Sequence, residues 1–259
     1  MMKTQVDLYP TERQQTILEL LQQNGRVTVS ELSQMFGVSE VTIRVDLQTL
    51  AEQGLIVRTH GGAVHTPRVP ELSLNLRRRQ QTMEKESIAE AAANLVASGD
   101  AIFLDASSTA LALARQLSYH RDLTILTHSL AVAQVLLDKA GVTVVVIGGV
   151  LQRDTVSLMG LEGLGILKKY NIRTGFFGAH GLSFPEGLTD VSAREAEIKR
   201  QVVGECRQVI AIIDATKWGR VGPASFAHPQ DLHTIITDLH APASLVEQAR
   251  AYGASVIQV

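Results

Sequence analysis

Three groups of polar side chains, each directly following an apolar run, and one spaced acid–base pair carry the chemistry this sequence offers. Asp105-Ala106-Ser107-Ser108-Thr109 follows AIFL, Thr127-His128-Ser129 follows LTIL, Asp214-Ala215-Thr216-Lys217 follows VIAII, and Glu195 and Lys199 stand four apart in REAEIKRQ. Ser107, Ser108 and Thr109 fall where a loop enters a helix, so hydroxyls and first-turn backbone N–H groups can together cradle an anion at the positive end of the helix dipole. Phosphate is the natural occupant. A carboxylate only accepts hydrogen bonds, so Asp105, Glu195 and Asp214 suit sugar hydroxyls, and Lys199 and Lys217 can neutralise the anion. A plainer reading stands beside this one: Ser and Thr at strand–helix junctions cap helices, and a Glu/Lys pair at i, i+4 decorates many surfaces.

The elements that must position these groups follow from periodicity. From Lys85 onward helical patterns (86–98, 109–118, 129–138, 192–204, 243–251) alternate with the strands AIFLDA, LTILT, VTVVVIGG, TGFFGA, QVIAIID, HTIITD and ASVIQV. Continuous apolar strands separated by helices indicate a mainly parallel sheet covered on both faces, and ligands of such sheets bind beyond the strands' carboxyl ends. The small and polar strand ends, including Gly148-Gly149 and Gly178-Ala179-His180-Gly181, are therefore expected on one rim.

A second constellation lies in residues 10–65. TERQQTILELLQQNG reads as a helix capped at Thr11 and stopped by Gly25, with Ile17, Leu18 and Leu21 on one face. After the β-like run RVTV, Ser30 is placed to cap ELSQMF, which is expected to bury Leu32, Met35 and Phe36 before the turn Gly37-Val38-Ser39. That is a helix-turn-helix arrangement. Ser39 caps a third helix whose Ile43, Leu47 and Leu50 must face inward, which turns Glu40, Val41, Thr42 and Val45 outward near its N-terminus. A recognition helix presents that end to base edges in the major groove. GLIVRTHGGAV then forms a hairpin with Arg58, His60 and Gly61-Gly62 at its tip, a wing suited to DNA phosphate.

Bulk composition bounds the rest. A length of 259 residues suits two domains, and 45% hydrophobic with 4% aromatic residues suits helices on a buried sheet. No apolar run approaches the roughly 20 residues of a membrane helix, and the start lacks a signal peptide's apolar stretch, so a cytoplasmic protein without membrane contact is expected. The single cysteine, Cys206, excludes an intrachain disulfide and reads as a small buried thiol within a helix. Net charge is −2, and residues 10–65 hold Arg13, Arg26, Arg44 and Arg58 against Glu12, Glu19, Glu31, Glu40, Asp46 and Glu52. Composition therefore gives no signal for nucleic acid, and the case rests on where charges point. Neither G-x-G-x-x-G nor G-x-x-x-x-G-K-[ST] occurs, nor a G-x-S-x-G elbow beside His60-Gly61-Gly62, and no metal or cofactor is called for. Residues 66–84, with two prolines and the cluster Arg77-Arg78-Arg79, read as a linker whose charges form a solvated or interdomain salt-bridging face in preference to a DNA backbone contact.

The segment RQQTILELLQQNGRVTVSELSQMFGVSEVTIRVDLQTLAEQGLIVRTHGGAV resembles the DNA-binding domain of the DeoR family of bacterial regulators, and DASST, THS, GGVL, REAEIKRQ and DATKWG resemble that family's C-terminal domain. The resemblance implies a winged helix-turn-helix (10–65) followed by a larger α/β domain (85–259) with a sugar-phosphate-isomerase-like fold that binds effector and oligomerises. It places Ser39, Thr42, Arg44 and Asp46 in the recognition-helix motif, where the family commonly has a second arginine at Val45. A valine packs on a thymine methyl instead of pairing with guanine, so a changed base preference is expected. It implies ligand contacts at Asp105, Ser107, Ser108, Thr109, Thr127, His128, Ser129, Glu195, Lys199, Asp214 and Lys217. His128 stands where asparagine is common, and its imidazole is expected to make ligand affinity depend on pH near neutrality.

The function implied is a homo-oligomeric repressor, dimer or tetramer, of a carbohydrate operon, bound to a double-stranded DNA operator and released by a phosphorylated sugar. Activation is the opposite sign that the same parts allow. The other readings are a sugar-phosphate isomerase carrying a DNA-binding domain, with Glu195 or Asp105 as base, and a protein-docking scaffold.

Overall fold

The computed structural model describes residues 9–52, 56–59, 61–65, 73–117 and 120–259. It divides into two compact units, Met1–Asn75 and Leu76–Val259.

In the first unit, helix α1 (Pro10–Asn24) begins one residue before the expected Thr11 cap, because Pro10 presets the first helical φ and the Glu12 carboxylate accepts the Tyr9 N–H at 2.9 Å. Strand β1 (Arg26–Thr28) leads directly into α2 (Val29–Phe36). Its cap is Thr28, not Ser30: the Thr28 hydroxyl accepts the Glu31 N–H and the Glu31 carboxylate accepts the Thr28 N–H, at 3.2 and 3.0 Å. This start sets the inward stripe at positions 29, 32, 33 and 36, so Val29 and Leu32 are buried while Met35, expected inside, is 59% exposed. The turn closes when Ser33 donates to the Val38 carbonyl, and Ser39 caps α3 (Glu40–Glu52) by accepting the Thr42 N–H at 3.1 Å.

Ile43, Leu47 and Leu50 of α3 are buried as their spacing requires. Asp46 shares their face, three residues after Ile43, and is buried too, accepting Arg13 Nε at 2.6 Å and Gln14 Nε2 at 3.0 Å. A polar residue of the family motif thus braces α3 against α1. Strands β2 (Ile56–Thr59) and β3 (Gly62–His65) make the antiparallel wing, and β1 adds to it in the order β1-β3-β2. Gly62 is required here by β1 more than by any ligand, since a Cβ at that position would lie 2.0 Å from the Val27 carbonyl oxygen. His60 lies outside the described residues.

Of the connection at 66–84, residues 66–72 lie outside the described residues; beyond them come helix α4 (Leu74–Arg79) and the start of α5 (Thr82–Ala93). The second unit is built on β4 (Ala101–Leu104), β5 (Leu123–Thr127), β6 (Val142–Val146), β9 (Thr174–Phe177), β12 (Gln208–Ile212), β14 (Thr234–Thr237) and β15 (Ser255–Gln258). They form one seven-stranded sheet in the order β15-β14-β12-β9-β4-β5-β6, with every neighbouring pair parallel. Adjacent residues alternate between faces: Phe103 and Phe177 join a core with α8 (Ala193–Val203) and α9 (Ala243–Ala251), while α5, α6 (Ser108–Gln116) and α7 (Leu130–Leu136) cover the other side. Two small antiparallel groups complete the unit. One is the hairpin β7 (Val150–Gln152) and β8 (Ser157–Met159); the other is β10 (Gly181–Ser183), β11 (Gly187–Asp190) and β13 (Ala224–Ala227). Cys206 follows α8 instead of lying within it, and burial pushes its thiol up to about 12, so it stays unreactive. Among the described residues no helix is long and apolar enough to cross a membrane.

Replacing Asp46 by Ala removes the carboxylate that pairs with the buried Arg13 guanidinium. A loss of about 3–5 kcal/mol is expected, read as an early unfolding transition of the first unit in urea melts of the full chain, with Asp46→Asn losing less.

Candidate functional site

In the first unit the outward face of α3 carries Val41 and Val45, 66% and 59% exposed, together with exposed Glu40 and Arg44. Arg44 Nη2 meets Glu40 Oε2 at 2.6 Å, an exposed i, i+4 pair that holds both side chains along the helix. The Ser39 and Thr42 hydroxyls lie 2.9 Å apart beside the cap. On the wing the exposed Arg58 donates from Nη1 to Gln48 Oε1 of α3, and Gly61 is exposed with open space around its Cα. Two apolar side chains left in solvent at the N-terminal end of a helix, flanked by an arginine there and another on a hairpin, fit a surface that meets base edges and phosphates.

In the second unit, β4, β5 and β6 step one way across the sheet while β9, β12, β14 and β15 step the other. The order reverses between β4 and β9, and the crevice beyond the carboxyl ends at such a reversal is where open α/β sheets bind ligands. Asp105, directly after β4, sits there fully buried. Its Oδ1 accepts the Ser107 N–H and its Oδ2 accepts the Gly178 N–H from the end of β9, both at 3.0 Å. Gly178 permits this close approach, since a Cβ there would lie 2.4 Å from that of Ser107.

Lys199, 2% exposed, projects from α8 into the same place. Its ammonium lies 3.0 Å from Asp105 Oδ2, 2.8 Å from Asp190 Oδ2 and 3.9 Å from Glu195 Oε1, donates to the Gly178 carbonyl at 3.0 Å, and stands 4.9 Å from the centre of the Phe226 ring. Burial alone lowers a lysine pKa, but Asp105, Asp190 and Glu195 outweigh it and hold this one above its ordinary value. Burial also raises Asp190, yet the bonded ammonium leaves that carboxyl below its usual range. Glu195 is different: burial wins over the more distant ammonium and its pKa rises, with Oε1 lacking any hydrogen-bond partner. The plainer reading of Glu195 and Lys199 as a surface pair therefore fails, since both lie in a buried cluster.

The remaining rim residues divide by role. Ser107 and Ser129 cap α6 and α7, accepting the N–H groups of Ala110 and Val132, and the Thr127 hydroxyl accepts the Ser129 N–H. Ser108 and Thr109 occupy the first turn of α6, where backbone N–H groups have no intrahelical acceptor; they keep 8% and 4% of their surface. Asp214 folds back on Thr216, and Lys217 is half-buried in the short 3-10 helix Ala215–Lys217. Both act electrostatically on buried Lys85, whose ammonium burial pushes down to about 8.

His128 is fully buried, stacked on Phe103 at 5.8 Å between ring centroids, and neither ring nitrogen has a hydrogen-bond partner. Burial pushes its pKa down to about 4. The imidazole is therefore neutral throughout the neutral range, which overturns the expected pH dependence near neutrality: the low-dielectric surroundings exclude the charge. Asp190 escaped the sequence analysis because it reaches Lys199 across the turn between β11 and α8, a spacing with no helical or strand period. Gly178 carried a signal only as one more small residue at a strand end.

Comparison with known proteins agrees with this division. Residues 13–68 match the DeoR-like helix-turn-helix domain and residues 80–239 the DeoR C terminal sensor domain. The HTH-type transcriptional regulator GolR of Listeria innocua is 38% identical over 232 residues, covering 89% of this chain and 91% of that one. The putative aga operon transcriptional repressor of Escherichia coli O157:H7 is 33% identical, covering 96% and 94%, and the glycerol-3-phosphate regulon repressor of Escherichia coli K12 is 33% identical, covering 92% and 94%. Among solved structures, ribose 5-phosphate isomerase A of Methanocaldococcus jannaschii overlaps 52% of this chain and 53% of its own at 16% identity and a TM-score of 0.38, too slight to bear on function. A winged helix-turn-helix followed by an α/β sensor domain defines a class of two-domain regulator. The chain belongs to the DeoR family of transcriptional regulators, and these relatives carry the names of regulators and repressors, not of enzymes.

The depressed His128 pKa links to stability with a definite sign. The unfolded imidazole binds a proton near pH 6.5 and the folded one only near 4, so stability is full above 6.5 and lost as pH falls toward 4. The loss is on the order of 3 kcal/mol. Denaturant melts at pH 7 and pH 4.5 should show it in the native chain and much less of it in His128→Asn; equal losses in both would refute the assignment.

Proposed function

We propose that this chain is a sequence-specific DNA-binding repressor of a carbohydrate-metabolism operon, released from its operator by a phosphorylated sugar. One observation carries the effector half: the sheet's reversal point combines a helix N-terminus, whose Ser108 and Thr109 N–H groups have no intrahelical acceptor, with a surplus of buried carboxylates, three around one ammonium. The first-turn N–H groups of Ser108 and Thr109 suit a phosphate, and Glu195, with its unbonded oxygen, suits a sugar hydroxyl beside it. Asp105, Ser107, Thr127, Ser129 and Lys199 hold the rim's shape, His128 is its neutral apolar wall, and Asp214 and Lys217 form its far side. The names of two relatives, an aga operon repressor and a glycerol-3-phosphate regulon repressor, support the same substrate class.

On the DNA side, α3 enters the major groove with Ser39, Glu40, Val41, Thr42, Arg44 and Val45 foremost, while Arg58, His60 and Gly61 of the wing meet the backbone. One such head covers too few base pairs for tight specific binding, so the working unit is a homo-oligomer spanning two half-sites in the cytoplasm. The effector then acts by changing the population of arrangements that can span both.

Fluorescence anisotropy with DNA from the upstream region of its own gene, at two salt concentrations and with a panel of sugar phosphates and matched free sugars, tests this reading. A steep salt dependence and release by one phosphate ester, not by its free sugar, are expected; indifference to every ester ends the sensor assignment. In the same assay Arg58→Ala should weaken all sequences alike and reduce the salt slope by about 1, whereas Val45→Arg should change which sequence is preferred.

A further inference from the structure

The sequence pattern leaves Arg77 on a solvated face of a linker, but the structure brings it to the rim. Its Nη2 reaches the carbonyl of Ala106, between Asp105 and Ser107, at 3.5 Å, the long end of hydrogen bonding. Its Nε is buried and has no partner. Glu195, 2% exposed, holds the complementary defect, an acceptor oxygen that is buried and unbonded. Ala106 directly follows Asp105, whose carboxylate shares the Lys199 ammonium with Glu195, so the guanidinium and the Glu195 carboxyl belong to one rim. Buried polar groups are rarely left unpaired, and a donor and an acceptor orphaned beside one crevice point to a ligand that supplies both partners. A phosphate oxygen accepts from the guanidinium, and a neighbouring hydroxyl donates to Glu195. With three carboxylates around one lysine, Arg77 also adds positive charge that makes the rim fit for an anion, and its planar fork matches phosphate geometry.

Arg77 is held from behind. Lys85 of α5 donates from Nζ to the carbonyl of Arg77 at 2.6 Å and also to that of Gln80, capping the end of α4 with a buried ammonium. Arg77 also lies only two residues beyond Asn75, where the first unit ends.

We propose that Arg77 contacts the effector directly, its guanidinium taking the phosphate beside the first turn of α6, and that this contact fixes α4, the helix through which the sensor unit continues into the DNA-reading unit. Lys85 is the positioning residue for that guanidinium. The proposal rests on the sensor reading above and gives it a route from ligand to linker.

The test uses the full-length chain and inorganic phosphate, with chloride at equal ionic strength as reference. Phosphate binding is followed by broadening of its phosphorus NMR line, and amide hydrogen exchange is followed across Leu74–Arg79. Wild type should bind saturably and slow exchange in α4. Arg77→Gln should bind at least about ten-fold more weakly, the loss of one charge-assisted hydrogen bond, with no slowing. Arg77→Lys should fall between, and Lys85→Met should move both readouts in the Arg77→Gln direction, so the proposal stays testable if one variant misfolds. Phosphate binding by Arg77→Gln equal to wild type, or none by wild type, overturns the contact; binding without any change in α4 exchange overturns the coupling. Indifference to the sugar-phosphate panel alongside intact, Arg77-dependent phosphate binding would sink the sugar assignment while leaving this contact standing.

Discussion

The sensor unit depends on one buried ion pair. Taking Asp105 and Lys199 out of water is expensive, and such pairs persist only where further hydrogen bonds satisfy both ions. Here they do: the carboxylate also accepts the Ser107 and Gly178 N–H groups, and the ammonium also meets Asp190 and the Gly178 carbonyl. The result is geometric more than energetic. Strand β4, strand β9 and helix α8 are pinned to a single point at the sheet's reversal, and the first turn of α6 is aimed by the carboxylate that begins the pinning. Glu195 is left with one oxygen short of a hydrogen-bond partner.

A smaller version of the same logic shapes the DNA-reading unit. Arg13 and Asp46 bury opposite charges between α1 and α3, so the rotation of α3 about its axis is fixed by electrostatics as well as by Ile43, Leu47 and Leu50. With that face committed, Val41 and Val45 have nowhere to go but solvent. The first unit has no basic composition; its outward face instead carries two exposed arginines, Arg44 on the helix and Arg58 on the wing.

Much of this was legible in the residues. Continuous apolar strands ending in polar triplets predicted a parallel sheet with a rim, and the sheet has it; the inward face of α3 followed from spacing alone. The misses have different causes. Thr28 displaced Ser30 as a cap because Thr28 and Glu31 form a reciprocal capping box, a spacing present in the sequence, and with Val29 inside the helix the buried stripe leaves Met35 outside. Strands β10, β11 and β13 are short, and β13 joins β11 from a distant part of the chain. The Asp46–Arg13 and Asp190–Lys199 pairs are tertiary, and charged residues look alike in sequence whether they face water or one another. Arg77 shows this best, since a run of three arginines reads as a solvated surface until the chain is folded around it.

The parallel sheet also has a history during synthesis. Strand β4 is made first and finds β5 soon after, but its other neighbour, the central strand β9, begins seventy residues beyond Leu104. At ribosomal speeds that is a delay on the order of ten seconds, during which one apolar edge of the future core has no strand to pair with and Asp105 has no lysine. Helices α5 and α6, translated on either side of β4, are what can shelter it meanwhile. The nascent protein is therefore most exposed to aggregation in that interval, when the helix-turn-helix is already complete and the crevice between β4 and β9 does not yet exist.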